Sequence, residues 1–163
     1  MRVLGIDPGL RITGYSLVEA QGVRTHVVEA GVVRSDDKQP LADRLRKIHG
    51  AVAKILCELS PDVIAVEELY SHYNHPVTSI LMGHARGVMF LAAGEAGVPV
   101  VSYAATRIKK ALTGHGRASK EQMQRMIQST LKLKTLPEPP DVADALAVAL
   151  CHCNVLVRES WGK

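Results

Sequence analysis

Four acidic residues stand where chemistry could use them. Asp7 ends the apolar run 2–6 and precedes Pro8-Gly9, Glu67 ends the β-branched run 63–66, and Asp141 and Asp144 lie three apart directly after Pro139-Pro140. Carboxylates are hard oxygen donors, and without His or Cys companions they suit Mg²⁺ or Mn²⁺ better than Zn²⁺. Two such ions about 3.5–4 Å apart can hold both the attacking and the leaving oxygen of a phosphodiester. Ionised carboxylates about 4 Å apart repel by about 4 kcal/mol per pair at an effective dielectric near 20, so a cluster of them is tolerated where protons or cations compensate it. Singly, each has a plainer role: an Asp before Pro-Gly caps a turn, and Asp141 can cap a helix N-terminus.

Cationic residues gather in one stretch. Between Ala104 and Lys134 stand Arg107, Lys109, Lys110, Arg117, Lys120, Arg125, Lys132 and Lys134 against the single acid Glu121, a balance of +7 in a chain whose formal net charge is +4. The rest of the chain therefore sums to −3. That asymmetry suggests a polyanionic partner; its plainer meaning is a solvated helix face. Acids for metals beside bases for phosphates describe a nuclease.

The elements that must bring the acids together follow from periodicity. Residues 2–6, 13–19 and 25–34 read as strands with brief connections, which favours antiparallel hairpins. Leu41, Leu45, Ile48, Val52, Ile55, Leu56 and Leu59 recur at helical spacing after Pro40. The strand 63–66 then implies a right-handed βαβ crossover and parallel pairing with the first strand. A helix over about 78–96 follows, then a strand over 98–102, a short basic helix over 106–112, a loop, a helix over 120–131, and a last helix from about 141 to 158. The expected architecture is α/β, a five-stranded mixed sheet with helices on both faces, in one domain over residues 1–163. Asp7 and Glu67 then share the carboxyl edge of neighbouring parallel strands, where open α/β sheets bind ligands. Asp141 and Asp144 project from one helix face, while Val142, Leu146, Ala149, Leu150, Cys153 and Val157 form the core stripe. Glu68 alternates to the opposite face of the sheet, and a register slip of one would exchange it with Glu67.

Composition narrows the classes further. Hydrophobic residues make up 47% and charged residues 22%, which excludes intrinsic disorder. No apolar run approaches the roughly 18–20 residues a membrane span needs, and no signal peptide opens the chain, so a cytoplasmic protein is expected. The three cysteines form no CxxC pair and read as thiols in a reducing compartment. Cys151-His152-Cys153 reads as core packing rather than a zinc site, because consecutive helical residues diverge by about 100° and cannot converge on one ion without a partner from elsewhere.

The stretches Gly5-Ile6-Asp7-Pro8-Gly9 with Gly14, Ala65-Val66-Glu67-Glu68, Gly83-His84-Ala85-Arg86-Gly87, and Asp141-Val142-Ala143-Asp144-Ala145-Leu146-Ala147 resemble, in order and spacing, the RuvC family of Holliday-junction resolvases. The resemblance runs nearly end to end. It implies a ribonuclease-H-like fold, a homodimer, and divalent-metal-dependent nicking of two like-polarity strands at a four-way DNA junction. It further implies preference for a short T-rich sequence, 5′-phosphate and 3′-hydroxyl ends, and work beside a branch-migration helicase complex of RuvA and RuvB. By matching position, Asp7, Glu67, Asp141 and Asp144 resemble the catalytic set that binds metal, two Mg²⁺ per subunit with Mn²⁺ as substitute; some relatives carry His where Asp141 stands. Lys109 and Lys120 resemble lysines that touch DNA near the cut, with Lys120 the better placed to steady charge on the scissile phosphate and be counted in the catalytic set. Lys110 and Arg117 would hold flanking phosphates. Tyr70 falls where the family places an aromatic that stacks on a base at the opened junction centre. His75, in the same loop, is given no catalytic role.

Gly83 and Gly87, with Met82, Met89, Phe90 and Leu91, mark either a dimer contact or a helix buried in the core of one chain; a two-fold junction needs two symmetric cuts, which a dimer supplies. Two alternatives to the nuclease stand beside it. An actin-like ATPase shares the Asp7–Gly14 pattern, although the chain is short for its two lobes. A non-enzymatic junction binder would use the acids for structural metal alone.

Overall fold

Alternation along two parallel strands decides which side chains meet. The computed structural model describes residues 1–69 and 76–161. Strands β1 (Arg2–Asp7), β2 (Ile12–Gln21) and β3 (Arg24–Arg34) form an antiparallel meander, and β4 (Val63–Glu67) and β5 (Val100–Tyr103) add in parallel beyond β1. The sheet order is β3-β2-β1-β4-β5, the mixed five-stranded arrangement expected.

Each sheet face has its own core. Leu4, Ile6, Leu17, Ile64 and Val66 pack against α1 (Leu41–Leu59) and α2 (Pro76–Glu95). Val3, Val18, Val63, Ala65 and Tyr103 pack against α3 (Ala105–Thr113), α4 (Lys120–Leu131) and α5 (Pro140–Trp161). With a side-chain period of two, Asp7 follows Val3 and Gly5, and Glu67 follows Val63 and Ala65, onto the face that carries α5.

The start of α2 precedes the expected residue 78 by two, because Pro76 fits a first helical turn whose N–H would be unpaired anyway. Strand β5 begins at Val100 rather than 98: the Val98 amide donates to the Ala93 carbonyl at 3.0 Å and Gly97 takes φ 67°, so Val98 still belongs to the end of α2.

A larger correction concerns α5. In place of one apolar stripe, every residue from Val142 to Cys153 except Asp144 is buried. The helix lies between the sheet and the layer of α3 and α4, so nearly all its faces are interior. Glycines make this fit possible. A Cβ at Gly5 would collide with the Ala145 carbonyl oxygen and meet the Ala149 Cβ at 2.9 Å, and one at Gly14 would collide with the Asp141 carbonyl oxygen. Both glycines therefore let helix backbone rest directly on strand backbone.

Among the described residues two helical stretches, 77–95 and 140–157, are long and apolar enough to cross a membrane by length and hydropathy, which corrects the expectation that none approaches that length. The second is 61% buried as the central helix of the core; the first packs its Ala85, Met89, Ala92 and Ala93 against the sheet and α1.

Candidate active site

The turn after β1 is locked before it reaches any ligand. Thr13 Oγ1 donates to the Gly9 carbonyl at 2.7 Å. The Leu10 carbonyl accepts from both Ser35 Oγ and Arg44 Nη2. Asp7 thus leaves β1 on a held backbone. The paired register of β1 and β4 ends at Ile6 and Val66, so Asp7 and Glu67 are the next residues on adjacent parallel strands. Asp144 reaches the same place from α5, one turn into the helix.

These three acids line a single cleft of about 720 Å³ together with Lys109 from α3 and Lys120 from α4. Lys120 Nζ lies 3.8 Å from Asp144 Oδ2. Lys120 is the first residue of α4, whose N-terminus is fixed by a reciprocal cap: Gln122 N donates to Ser119 Oγ at 3.3 Å, and Ser119 N donates to Gln122 Oε1 at 2.8 Å. A cation at a helix N-terminus opposes the helix dipole. Its place there is offset by the facing carboxylates, which is the pattern of a residue kept for the cleft rather than for the helix.

The electrostatics report crowding of negative charge. Burial, then Asp144, Asp141 and Glu67, push the Asp7 carboxyl up to about 7, with Lys120 opposing. Burial and Asp144 raise Glu67 against Lys109 and Lys120. Burial also raises Asp144, opposed by Lys120 and reinforced by Asp141. All three titrate upward for the same reason: partly desolvated carboxylates share one space.

The expected residues therefore divide. Asp7, Glu67, Asp144, Lys109 and Lys120 come together. Asp141 is not part of the cleft lining, although its charge bears on Asp7 and Asp144. Glu68 also lines the cleft but is exposed, and its charge acts on Arg86. Lys110 and Arg117 are exposed beyond the lining. Tyr70 and His75 lie outside the described residues. Cys151, His152 and Cys153 are buried, with His152 Nδ1 2.6 Å from the Tyr103 hydroxyl oxygen and the Cys153 thiol pushed by burial to about 11, as core residues should be. Gly83 and Gly87 are exposed with open space above both, so burial in the core of this chain is ruled out for them. Sequence reasoning gave no role to Arg86, whose guanidinium grips the Glu67 backbone; a charged residue amid an otherwise apolar helix was the available signal.

Among the described residues no three His, Cys, Asp or Glu side chains stand close enough together to enclose an ion as they are placed. The donor set nevertheless fits a hard divalent cation. It is all oxygen, it faces one cleft, and the elevation of Asp7 shows that the site favours added positive charge.

This sheet order, with a long helix laid across it, is the ribonuclease-H-like fold. A family model described as crossover junction endodeoxyribonuclease RuvC matches residues 3–152. A crossover junction endodeoxyribonuclease RuvC of Rhodopirellula baltica is 50% identical over 149 residues, covering 91% of this chain and 84% of its own. Another, of Halothermothrix orenii, is 42% identical over 163 residues, covering 99% and 98%. The solved structure of Thermus thermophilus RuvC in complex with Holliday junction substrate superposes with a TM-score of 0.91 at 36% identity, covering 98% of this chain and 97% of that one. The chain belongs to the RuvC crossover junction endodeoxyribonuclease family. That membership sets aside the actin-like ATPase.

Proposed function

We propose that residues 1–163 form one nuclease domain that resolves four-way DNA junctions by paired, symmetric nicks in like-polarity strands, hydrolysing the phosphodiester to leave 5′-phosphate and 3′-hydroxyl ends. The observation that carries this reading is the convergence of Asp7, Glu67 and Asp144 from three elements on one cleft that Lys109 and Lys120 also enter. Asp7, Glu67 and Asp144, with Asp141 completing the set from the first turn of α5, would hold two Mg²⁺ ions, with Mn²⁺ as substitute. Bound there, the ions supply Lewis acidity that activates water and neutralises charge on the leaving oxygen.

The chain's own residues do the rest. Lys120 presents a point charge to the non-bridging oxygens of the scissile phosphate as they gain charge, and its partner Asp144 holds it at the cleft until DNA arrives. Lys109 draws the same phosphate group inward. Lys110 and Arg117, exposed outside the cleft, take flanking phosphates and set where the strand lies without reading sequence. Tyr70 stacks on an unpaired base at the junction centre.

A four-way junction offers two equivalent cut sites, and a two-fold dimer matches them. The exposed apolar stripe Val77, Ile80 and Leu91 on α2, interleaved with the open glycines, is the surface that such a dimer would cover. The protein would act in the cytoplasm beside a RuvA and RuvB branch-migration complex.

The test is cleavage of a synthetic four-way junction with and without Mg²⁺, by the wild type and Asp7→Asn. Wild type should nick symmetrically only with the cation. Loss of one group that stabilises transition-state charge costs on the order of 10²–10³-fold in rate. Asp7 would hold the cations that provide that charge, so Asp7→Asn should drop at least that far while still binding the junction. Wild-type cleavage by Asp7→Asn would remove Asp7 from the catalytic set, and a wild type that binds the junction without cutting it in Mg²⁺ would leave a junction binder whose acids serve only structural metal.

A further inference from the structure

Arg86 has no part in the mechanism above, and its surroundings give it one. It sits on α2 beside the buried Ala85, and its half-buried guanidinium spans the ends of two strands. Nη1 donates to the Glu67 backbone carbonyl, and Nη2 donates to Ser102 Oγ at 2.7 Å. The guanidinium carbon lies 4.6 Å from the centre of the Phe90 ring, one helical turn further along. Phe90 thereby covers one face of the cation and limits its contact with water.

The carbonyl that Arg86 grips is at a critical place. Pairing of β4 with β1 stops at Val66, so Glu67 begins the stretch that the sheet holds from one side only. On the β5 side the Glu68 amide donates to the Tyr103 carbonyl at 2.9 Å. The peptide unit joining Glu67 to Glu68 is therefore held at both polar atoms, its N–H by Tyr103 and its C=O by Arg86. Fixing that plane fixes the backbone torsion that sends the Glu67 side chain toward Asp7 and Asp144 and leaves Glu68 exposed near Arg86. The planar fork is needed because it satisfies two acceptors on different strands at once; an ammonium offers one compact charge.

The geometry points to Arg86 as a positioning residue: from α2 it clamps the 67–68 peptide to β5 and aims the Glu67 carboxylate into the cleft, with Phe90 shielding the clamp. This rests on the reading of Glu67 as a metal ligand. Its signature is in metal use rather than in DNA binding, since Arg86 lies among neither the cleft lining nor the basic segment.

The experiment compares Arg86→Gln, Arg86→Lys and Glu67→Gln in the full chain. It measures single-turnover junction cleavage across a Mg²⁺ titration, junction affinity without cleavage in Ca²⁺, and thermal melting. Loss of a group that orients a metal ligand costs about 10–100-fold in metal affinity or activity, so both Arg86 variants should need that much more Mg²⁺ for half-maximal rate. Arg86→Lys, which keeps the charge, should melt close to wild type yet share the defect, and junction affinity should stay within about twofold for both. A wild-type Mg²⁺ midpoint in Arg86→Lys and in the folded fraction of Arg86→Gln, beside an inactive Glu67→Gln, overturns the clamp and spares the site. A Glu67→Gln that cleaves normally overturns the site and the clamp with it.

Discussion

Asp7 and Gly14 face each other across the β1–β2 ladder, and the bare Cα of Gly14 is where the Asp141 carbonyl comes to rest. One residue pair thus joins the strand that carries the first acid to the helix that carries the last two. Gly14→Ala adds a methyl group where backbone oxygen already lies. Overpacking costs about 1–3 kcal/mol, and a displacement near 1 Å at a reacting centre can cost about 10²-fold in rate. The variant should melt lower, and its single-turnover cleavage should fall further than its unfolded fraction explains. Normal cleavage by a normally folded Gly14→Ala would show that α5 can shift without disturbing the acids.

Stability of the metal-free protein should depend on pH through Asp7. Its carboxyl titrates near 7 when folded and near 3.8 when unfolded, so between those values the folded state binds more protons. Stability therefore falls as pH rises from about 4 to about 7, the reverse of a salt-bridged carboxylate. A shift of about three units corresponds to about 4 kcal/mol at most. Water reaching the cleft reduces that to about 2 kcal/mol. Denaturant melts in EDTA should show the decline, Asp7→Asn should lessen it while the raised Glu67 and Asp144 keep part of it, and added Mg²⁺ should stabilise wild type more at pH 8 than at pH 5. A flat or rising wild-type curve in EDTA would contradict the crowding of the three acids.

The lysines should separate by readout. Lys110→Ala and Arg117→Ala should weaken junction binding and lower the log–log salt slope by about 0.9 for each duplex-arm phosphate that is no longer neutralised. Lys120→Ala should leave that slope nearly unchanged and reduce the cleavage rate at saturating junction. A Lys120→Ala variant that loses affinity and keeps its rate would reverse its assignment.

The exposed stripe on α2 gives a prediction for assembly. Burying one Leu side chain contributes about 2 kcal/mol, and Leu91→Glu should lose that contribution and add the cost of a buried charge. Sedimentation should show dimers weakened by at least about 30-fold, with the melting curve of the monomer little changed. An unaltered dimer would place the interface on another face.

Much of this site was legible in the chain itself. Period-two alternation is a local property, so it set Glu67 and Glu68 on opposite faces while the strand register that brings Glu67 beside Asp7 came from the folded sheet, and helical spacing put Asp141 and Asp144 on one side of α5. The helix expected over 120–131 is α4 as observed, and the cap of Ser119 and Gln122 that starts it is also local. What required the folded chain was the meeting of residues far apart in sequence. The burial of α5 on nearly all sides depends on which layers enclose it, and no stripe of apolar residues reveals a second cover. Asp141 standing outside the cleft lining while still charging it, Gly14 receiving a helix carbonyl, and Arg86 spanning β4 and β5 each depend on elements that come together only when the sheet and its two helical layers assemble. Spacing along a chain sets direction within an element; distance between elements is set by packing.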